Sequence, residues 1–327
     1  MGKNIQPAYS FDISSKAFAE KIFDANSGKA FAKEAGQAAT LFVQDYRRED
    51  GFARNVIETR HVSQSELQEV DFTDQPALIV YNDVDTRAMT VPLRGRGNFR
   101  YYETNKFYVF FEKIVSEKIR KSQIEMMTTR IDYKALFKKR IAEAMYKVED
   151  MTVMAGANKI LDDEWKAAED ADKLVDTDDY TKSSQTIKFK DGINLDKNSL
   201  VEFFKMPMSN KSKIENVLLT ETLLQDIIKM SMLEVGDANV SSFWNKGVDN
   251  IKSFWGKNIV TTIKNEIVPE NKMYGFAGGQ LYGWLFLLRD HTVYMETDRE
   301  MLTIDADAYL SHAVGNTKGV YEAVFAV

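Results

Sequence analysis

Three histidines, His61, His291 and His312, are the first residues to ask about chemistry in this chain of 327 residues. No metal-ligand spacing relates them. His291 follows Asp290, and an Asp-His pair can move protons or help hold a metal. The same pair also serves as a turn between strands, and no Gly-x-Ser-x-Gly elbow supplies it with a nucleophile. The chain has no cysteine, which excludes thiol nucleophiles, disulfides and cysteine zinc sites. Ser27-Gly28-Lys29-Ala30 ends like a phosphate loop, but Phe23 stands where the first glycine belongs. Ala30 stands where a Ser or Thr must reach the magnesium ion. Gly275-Phe276-Ala277-Gly278-Gly279 does not match the dinucleotide fingerprint and reads as a tight turn or a close backbone approach. Asp176-Thr177-Asp178-Asp179 has acid enough for calcium, but lacks the glycine and glutamate that complete an EF-hand loop. A solvated acidic loop is the simpler reading. The expectation is no catalytic residue, no cofactor and no metal.

One constellation remains. Arg87, Arg94, Arg96 and Arg100 lie on a stretch that also carries Asn98, Phe99, Tyr101 and Tyr102. Arginine with tyrosine can bind RNA by charge and stacking, and it can equally anchor a protein interface. The net charge of the chain is −6, whereas proteins that grip nucleic acid are usually basic. A basic projection on an acidic body is self-complementary between copies, which favours protein contact.

The elements that must position these residues follow from pattern. Residues 14–48 read as two amphipathic helices broken at Asn26-Ser27-Gly28. The second carries Phe31, Ala35, Ala38, Phe42 and Val43 on one side. Ala77-Leu78-Ile79-Val80-Tyr81 is an apolar β run, and Phe107-Tyr108-Val109-Phe110-Phe111 returns from the arginine stretch. Gly95, Gly97 and Asn98 supply turn chemistry between the two arms, and Pro92 suits an edge strand. The spacing predicts a long projecting hairpin. Asp132 is a good N-cap for a helix expected to run to Leu161. Phe137, Ile141, Met145, Val148, Met151/Thr152 and Ala155 make its apolar stripe. Thirty residues at 1.5 Å each is on the order of 45 Å, long enough to need a broad flat partner. Residues 162–192 read as an acidic surface excursion ending in a strand at Ile187–Phe189. A short helix from Asn198 to Lys205 is expected to stop before Pro207. Beyond Asn216 the pattern is compact α+β: a strand at Val217–Leu219, a helix from Glu221 to Met230 with Leu223, Leu224, Ile227 and Ile228 inward, then several strands. The last strand covers Gly319 to Val327.

Apolar residues make up 44% and charged residues 28% of the chain, ordinary for a folded protein. The run Gly283–Leu288 ends at Arg289 and is far shorter than the ~20 residues a bilayer requires. The N-terminus lacks the apolar core of a secretory signal. No membrane partner is expected.

This order of elements resembles the major capsid proteins of tailed bacteriophages, whose α+β fold is known as the Hong Kong 97 capsid fold. The resemblance spans nearly the whole chain and rests on pattern and order, not on a short motif. It implies an N-terminal arm over residues 1–50, entry to a peripheral (P) domain over 51–83, and an extended hairpin, the E-loop, over 84–106. It further implies the P domain over 107–213 with its spine helix at 132–161, an axial (A) domain over 214–300, and a strand returning to the P domain over 301–327. The stretch Tyr282–Asp290 is similar to the family's late strand ending in an arginine-bearing turn.

The implied function is a shell subunit, not an enzyme. Hexamers and pentamers would close into an icosahedral capsid around double-stranded DNA, touched without sequence preference. The E-loop contact would fall on Arg87, Arg94, Arg96, Asn98, Phe99, Arg100 and Tyr101. The implied location is the virion, assembled in the host bacterial cytoplasm with portal and cement proteins. Because the chain starts at Met1 with a short arm, a separate scaffold protein is expected. Some relatives cross-link an E-loop lysine to a neighbour's asparagine. Here Lys106 lies only at the base, so no cross-link is expected. The rival readings are an encapsulin-like compartment enclosing protein, a soluble α+β enzyme using Asp290 and His291, and an RNA-binding protein using the arginine hairpin.

Overall fold

A computed structural model describes residues 51–70, 73–81, 106–122, 124–125, 133–190, 195–229, 253–279, 281–298 and 300–325. The expected N-terminal arm, and the E-loop apart from Lys106, lie outside the described residues. In chain order, a one-turn helix α1 (Ala53–Val56) precedes six strands: β1 (Thr59–His61), β2 (Gln68–Val70), β3 (Thr73–Tyr81), β4 (Lys106–Phe110), β5 (Glu112–Val115) and β6 (Ile119–Ser122). The long helix α2 (Tyr133–Asp170) follows, then β7 (Val175–Asp176), β8 (Tyr180–Lys182), β9 (Thr186–Phe189), helix α3 (Lys197–Ser209), β10 (Ile214–Thr220) and helix α4 (Glu221–Lys229). The chain ends through β11 (Ser253–Phe254), β12 (Lys257–Thr262), β13 (Lys272–Ala277), β14 (Gly283–Asp298), β15 (Met301–Val314) and β16 (Val320–Val324).

Helix α2 is longer than its pattern suggests: 38 residues, or about 57 Å at 1.5 Å per residue. Gly156 does not end it. A helical glycine costs only about 1 kcal/mol relative to alanine. Here a side chain is excluded, because a Cβ would sit 2.9 Å from Nδ1 of His312. The helix stops at Asp172, which adopts a left-handed φ of 52°, while Lys173 N–H donates to the Ala168 carbonyl at 2.9 Å, a Schellman-like closure. The expected apolar stripe is correct through Met145 and then leaves the buried face. Val148 is 41% and Met151 50% exposed. The buried series is Ile141, Ala142, Met145, Tyr146, Glu149, Asp150, Val153, Met154, Ala157 and Leu161. Steps of four hold a face, whereas repeated steps of three rotate off it, and the acids Glu149 and Asp150 occupy two positions of the buried face.

The described residues divide into two compact units. One holds Lys113–Glu149 and Arg289–Tyr309. Within it, β6 pairs antiparallel with β15 from Ile119↔Ile304 to Ser122↔Met301, and Ser116 N–H donates to the Ala306 carbonyl at 2.8 Å. Ile114, Phe137, Ile141, Met145, Tyr146, Val293, Met295, Leu302 and Ile304 are among its buried apolar residues.

The other unit holds Phe52–Glu112, Asp150–Leu288 and Leu310–Val327. Its main sheet has eight strands in the order β11-β12-β10-β13-β16-β9-β8-β7. β10 pairs parallel with β12 and antiparallel with β13, and β16 pairs antiparallel with β13 and parallel with β9. Helices α3 and α4 bury Leu200, Phe203, Met206, Leu223, Leu224 and Ile227 with Ile214, Val217, Leu219, Met273 and Tyr321 of the sheet. Asp196 caps α3, accepting from Ser199 N–H at 2.7 Å, and Ser199 Oγ accepts from Asp196 N–H at 2.8 Å. Pro207 does not stop α3 as expected. Its ring is buried in the last turn, where a proline forfeits one donor and gains packing. The acidic excursion is also more ordered than expected, since α2 runs on to Asp170 and β7 and β8 continue the sheet.

A smaller sheet, β2-β3-β4, packs Leu78 and Val109 against Val62 and Phe286, and β1 lies parallel to β14 with Arg60 opposite Phe286. Gly283 opens β14 where a Cβ would overlap the Ala313 carbonyl oxygen and sit 2.9 Å from Val314 Cα. Backbone cannot yield as a side-chain tip can. Gly283→Ala should therefore cost about 1–3 kcal/mol of overpacking, read as a lower urea midpoint at unchanged slope. An unchanged midpoint would show that the hairpin accommodates the methyl group.

Candidate functional site

The hairpin proposed to carry the arginines has a well-defined stem. β3 and β4 pair antiparallel from Ala77↔Phe110 to Tyr81↔Lys106. Residues 82–105 therefore leave and return at one point, the Tyr81–Lys106 pair. Arg87, Arg94, Arg96, Asn98, Phe99, Arg100 and Tyr101 all belong to that excursion and lie outside the described residues. Leu78 and Val109 face the core, whereas Tyr81 (56% exposed), Phe107 and Tyr108 stand open at the base of the excursion. The Lys106 ammonium lies 5.7 Å from the Tyr81 ring centroid. Exposed aromatics at the end of a strand pair suit a protein interface better than a monomer surface. Sequence reading placed these aromatics in β runs without giving them a face. Alternation about Leu78 and Val109 turns Tyr81 and Tyr108 away, whereas Phe107 shares the face of Val109 and is open because it lies near the strand's end.

Asp290 and His291 do not form a catalytic dyad. The Asp290 carboxylate accepts from the backbone N–H of His291 at 2.8 Å, and Thr292 Oγ1 donates to the Asp290 carbonyl at 3.0 Å. The His291 ring points into the core, fully buried. Its Nε2 lies 2.8 Å from Oε1 of Glu149 on α2, and the Tyr146 ring meets it edge-on at 5.4 Å. A pair sealed from solvent cannot exchange a proton with a substrate. It can hold a helix to a strand, since a buried charge needs a partner.

The other candidates resolve the same way. His61 is exposed on β1, and His312 is half-buried, its ring against Gly156 and 5.7 Å from the Tyr282 ring. Among the described residues no group of His, Asp and Glu could hold a metal ion. The acidic loop is a turn between β7 and β8. Thr177 Oγ1 donates to the Tyr180 carbonyl at 2.8 Å, and Thr181 Oγ1 donates to Asp176 at 2.7 Å. Lys190 sits 3.0 Å from Asp176. Thr181 first, then Lys190, hold the exposed Asp176 carboxyl below its usual range. Gly275 leaves room for Ile214 and Phe203, and Gly278 for the Glu215 carboxylate, so this stretch is a close approach and not a phosphate cradle.

Two further charge clusters escaped sequence reading. Asp150, next to Glu149, is fully buried and paired with Lys264. Asp307 on β15 takes both Arg289 and, at 3.2 Å, Lys113, with the Arg289 guanidinium 4.9 Å from the Tyr309 ring centroid. Asp307 is the first cause of the raised pKa of the exposed Lys113.

No family model and no curated protein sequence matches the chain. Solved structures do. A Microbacterium phage Oxtober96 structure aligns at 12% identity over 85% of this chain and 91% of its own, with a TM-score of 0.56. The capsid of cyanophage P-SCSP1u aligns at 9% over 83% and 86%, with a TM-score of 0.54. A virus-like particle from Pyrococcus furiosus aligns at 11% over 89% and 98%, with a TM-score of 0.51. The chain therefore has an α+β, Hong Kong 97-like capsid fold, as its order of elements implied.

Two outcomes follow from the buried groups. His291→Leu should lower stability by about 1–3 kcal/mol by taking a partner from the buried Glu149, and adding Glu149→Leu should recover much of that loss in denaturation midpoints. A double variant no better than the single would show that the pair does not act as a unit. Burial pushes the His312 imidazole down from 6.5 to about 4. The unfolded chain then binds a proton below 6.5 that the folded chain refuses until about 4. Stability should be full above 6.5, fall as the pH drops between those values and level off below, by on the order of 3 kcal/mol in all. Urea midpoints of wild type and His312→Leu should converge across that window; parallel pH curves would rule the histidine out.

Proposed function

We propose that the chain is a major capsid protein whose copies assemble as hexamers and pentamers into an icosahedral shell around double-stranded DNA. The observation that carries this reading is coverage. The fold shared with a phage structure and a cyanophage capsid takes in most of this chain and most of theirs. Enzyme function finds no support at Asp290 and His291, whose ring is sealed in the core.

In this reading, residues 84–106 are an E-loop that reaches a neighbouring copy and 1–50 are an arm. Helix α2 is the spine, 107–213 and 301–327 supply the P domain, and 214–300 the A domain. The stem register at Tyr81–Lys106 and the open aromatics beside it support an E-loop that meets protein. Lys106 lies against Tyr81 at the base of that loop, a poor place from which to cross-link a neighbour. A separate scaffold protein, a portal and cement proteins complete the proposed assembly, which takes place in the host cytoplasm before the capsid joins the virion. The likeness to a virus-like particle from Pyrococcus furiosus supports a second reading, a compartment shell. The cargo, DNA or protein, separates the two.

Purified protein should elute as capsomers or larger bodies and show rings or shells by negative stain. Arg94→Glu with Arg96→Glu should abolish those bodies while leaving the circular dichroism spectrum unchanged. A wild type that stays monomeric would refute the shell reading, and normal shells from the double variant would remove the arginines from the interface.

A further inference from the structure

Helix α1 begins without a cap of its own. Its N-cap residue is Phe52, which offers no side-chain acceptor, and four residues are too few to hold a helix by local bonds. The missing acceptor comes from 97 positions along the chain: Oδ1 of Asp150 accepts from the Ala53 N–H at 2.8 Å. The other oxygen, Oδ2, takes the Lys264 ammonium at 2.7 Å. That ammonium also lies 5.9 Å from the Phe52 ring centroid. Asp150 is fully buried, whereas the Lys264 side chain is 23% exposed. Downstream, Asn216 Nδ2 donates to the Val56 carbonyl at 2.7 Å, and Phe52, Ala53, Val56 and Ile57 are all buried.

We propose that Asp150 is the positioning residue that fixes α1 and the course of the chain at Phe52, with Lys264 as the counter-ion that keeps the anchor closed. A neutral acceptor would satisfy Ala53 equally well. The carboxylate does more, because it ties α1 to Lys264, which follows β12. Its two oxygens have two directed partners, so both the place and the direction of the chain at Phe52 are set by one side chain on α2. Lys264 continues into a turn in which Ile267 and Val268 N–H groups donate to its carbonyl at 3.0 and 3.1 Å, so the counter-ion is itself held. The anchor does not depend on the shell reading.

The test is amide hydrogen exchange on the full chain, comparing Ala53–Ile57 with Val217–Leu219 of β10 as an internal reference. Lys264→Met leaves a buried carboxylate without its cation and should speed exchange at Ala53–Ile57 by tenfold or more, with the β10 amides unchanged. Asp150→Leu should do the same by removing the acceptor. Asp150→Asn combined with Lys264→Met should restore most of the protection, because the asparagine oxygen still accepts from Ala53 and no charge is stranded. Equal acceleration at both segments would overturn the proposal by showing ordinary global destabilisation, as would unchanged exchange at Ala53–Ile57 in both single variants. Assembly of the same variants is scored separately by negative stain. A wild type that never assembles would defeat the shell reading, and the exchange result would still decide the anchor.

Discussion

Two consecutive buried acids, Glu149 and Asp150, are the constraint on which much of this structure depends. An ionised carboxylate out of water costs several kcal/mol unless it is paired and hydrogen-bonded. Successive residues on a helix point about 100° apart, so each acid needs its own partner. Glu149 has His291 of β14; Asp150 has Lys264 and the Ala53 N–H. The two acids also mark the boundary of the packing units, Glu149 closing a segment of one and Asp150 opening a segment of the other. A purely apolar stripe would accept many rotations and shifts of α2 at little cost. The directed hydrogen bonds of Asp150, at 2.7 and 2.8 Å, tolerate few.

That same pair of acids explains where sequence reading of the helix went astray. Phe137, Ile141 and Met145 were legible because apolar residues at steps of four declare a face. The next members of the face, Glu149 and Asp150, are charged, so the search moved to Val148 and Met151, which are exposed. No local signal marks a carboxylate as buried. The information lies in His291 and Lys264, far away in sequence. What local pattern can carry was legible: the strands flanking residues 82–105, the helix after Thr220, the strands after Met301 and the order of elements that points to the fold. The helix end was not, because Gly156 reads as a stop until the His312 ring beside it is seen. The same holds for Pro207, whose buried ring is visible only once α3 is packed. The exposure of Tyr81 and Phe107 was hidden by their chemistry, since aromatic strand residues are taken for core by default.

Glycine shows how little of such a fold is a matter of residue identity. Gly156 admits the His312 ring, Gly275 admits Phe203 and Ile214, and Gly283 admits the Ala313 carbonyl. Each marks a place where two elements approach more closely than a Cβ allows. The closeness could as well be arranged elsewhere along the same elements, with other small residues facing other large ones. A fold carried by register, helix length and close approach leaves the identities free to change. A TM-score of 0.56 at 12% identity is therefore no contradiction.

The stem of the proposed E-loop makes the same point from the side of function. A projection useful between copies must be held firmly at its root and left uncommitted beyond it. The root here is antiparallel pairing that ends at Tyr81–Lys106, with Leu78 and Val109 buried below it. Backbone pairing depends weakly on side-chain identity, so the root can keep its geometry while the excursion varies. The side chains just outside the root are under the opposite demand. Tyr81, Phe107 and Tyr108 expose apolar area that an isolated chain would do better to bury, and Lys106 beside them keeps that area from being wholly apolar. An isolated enzyme gains nothing from such a surface. For a subunit that is stable chiefly among its copies, the same surface is the part of the core that a neighbour completes.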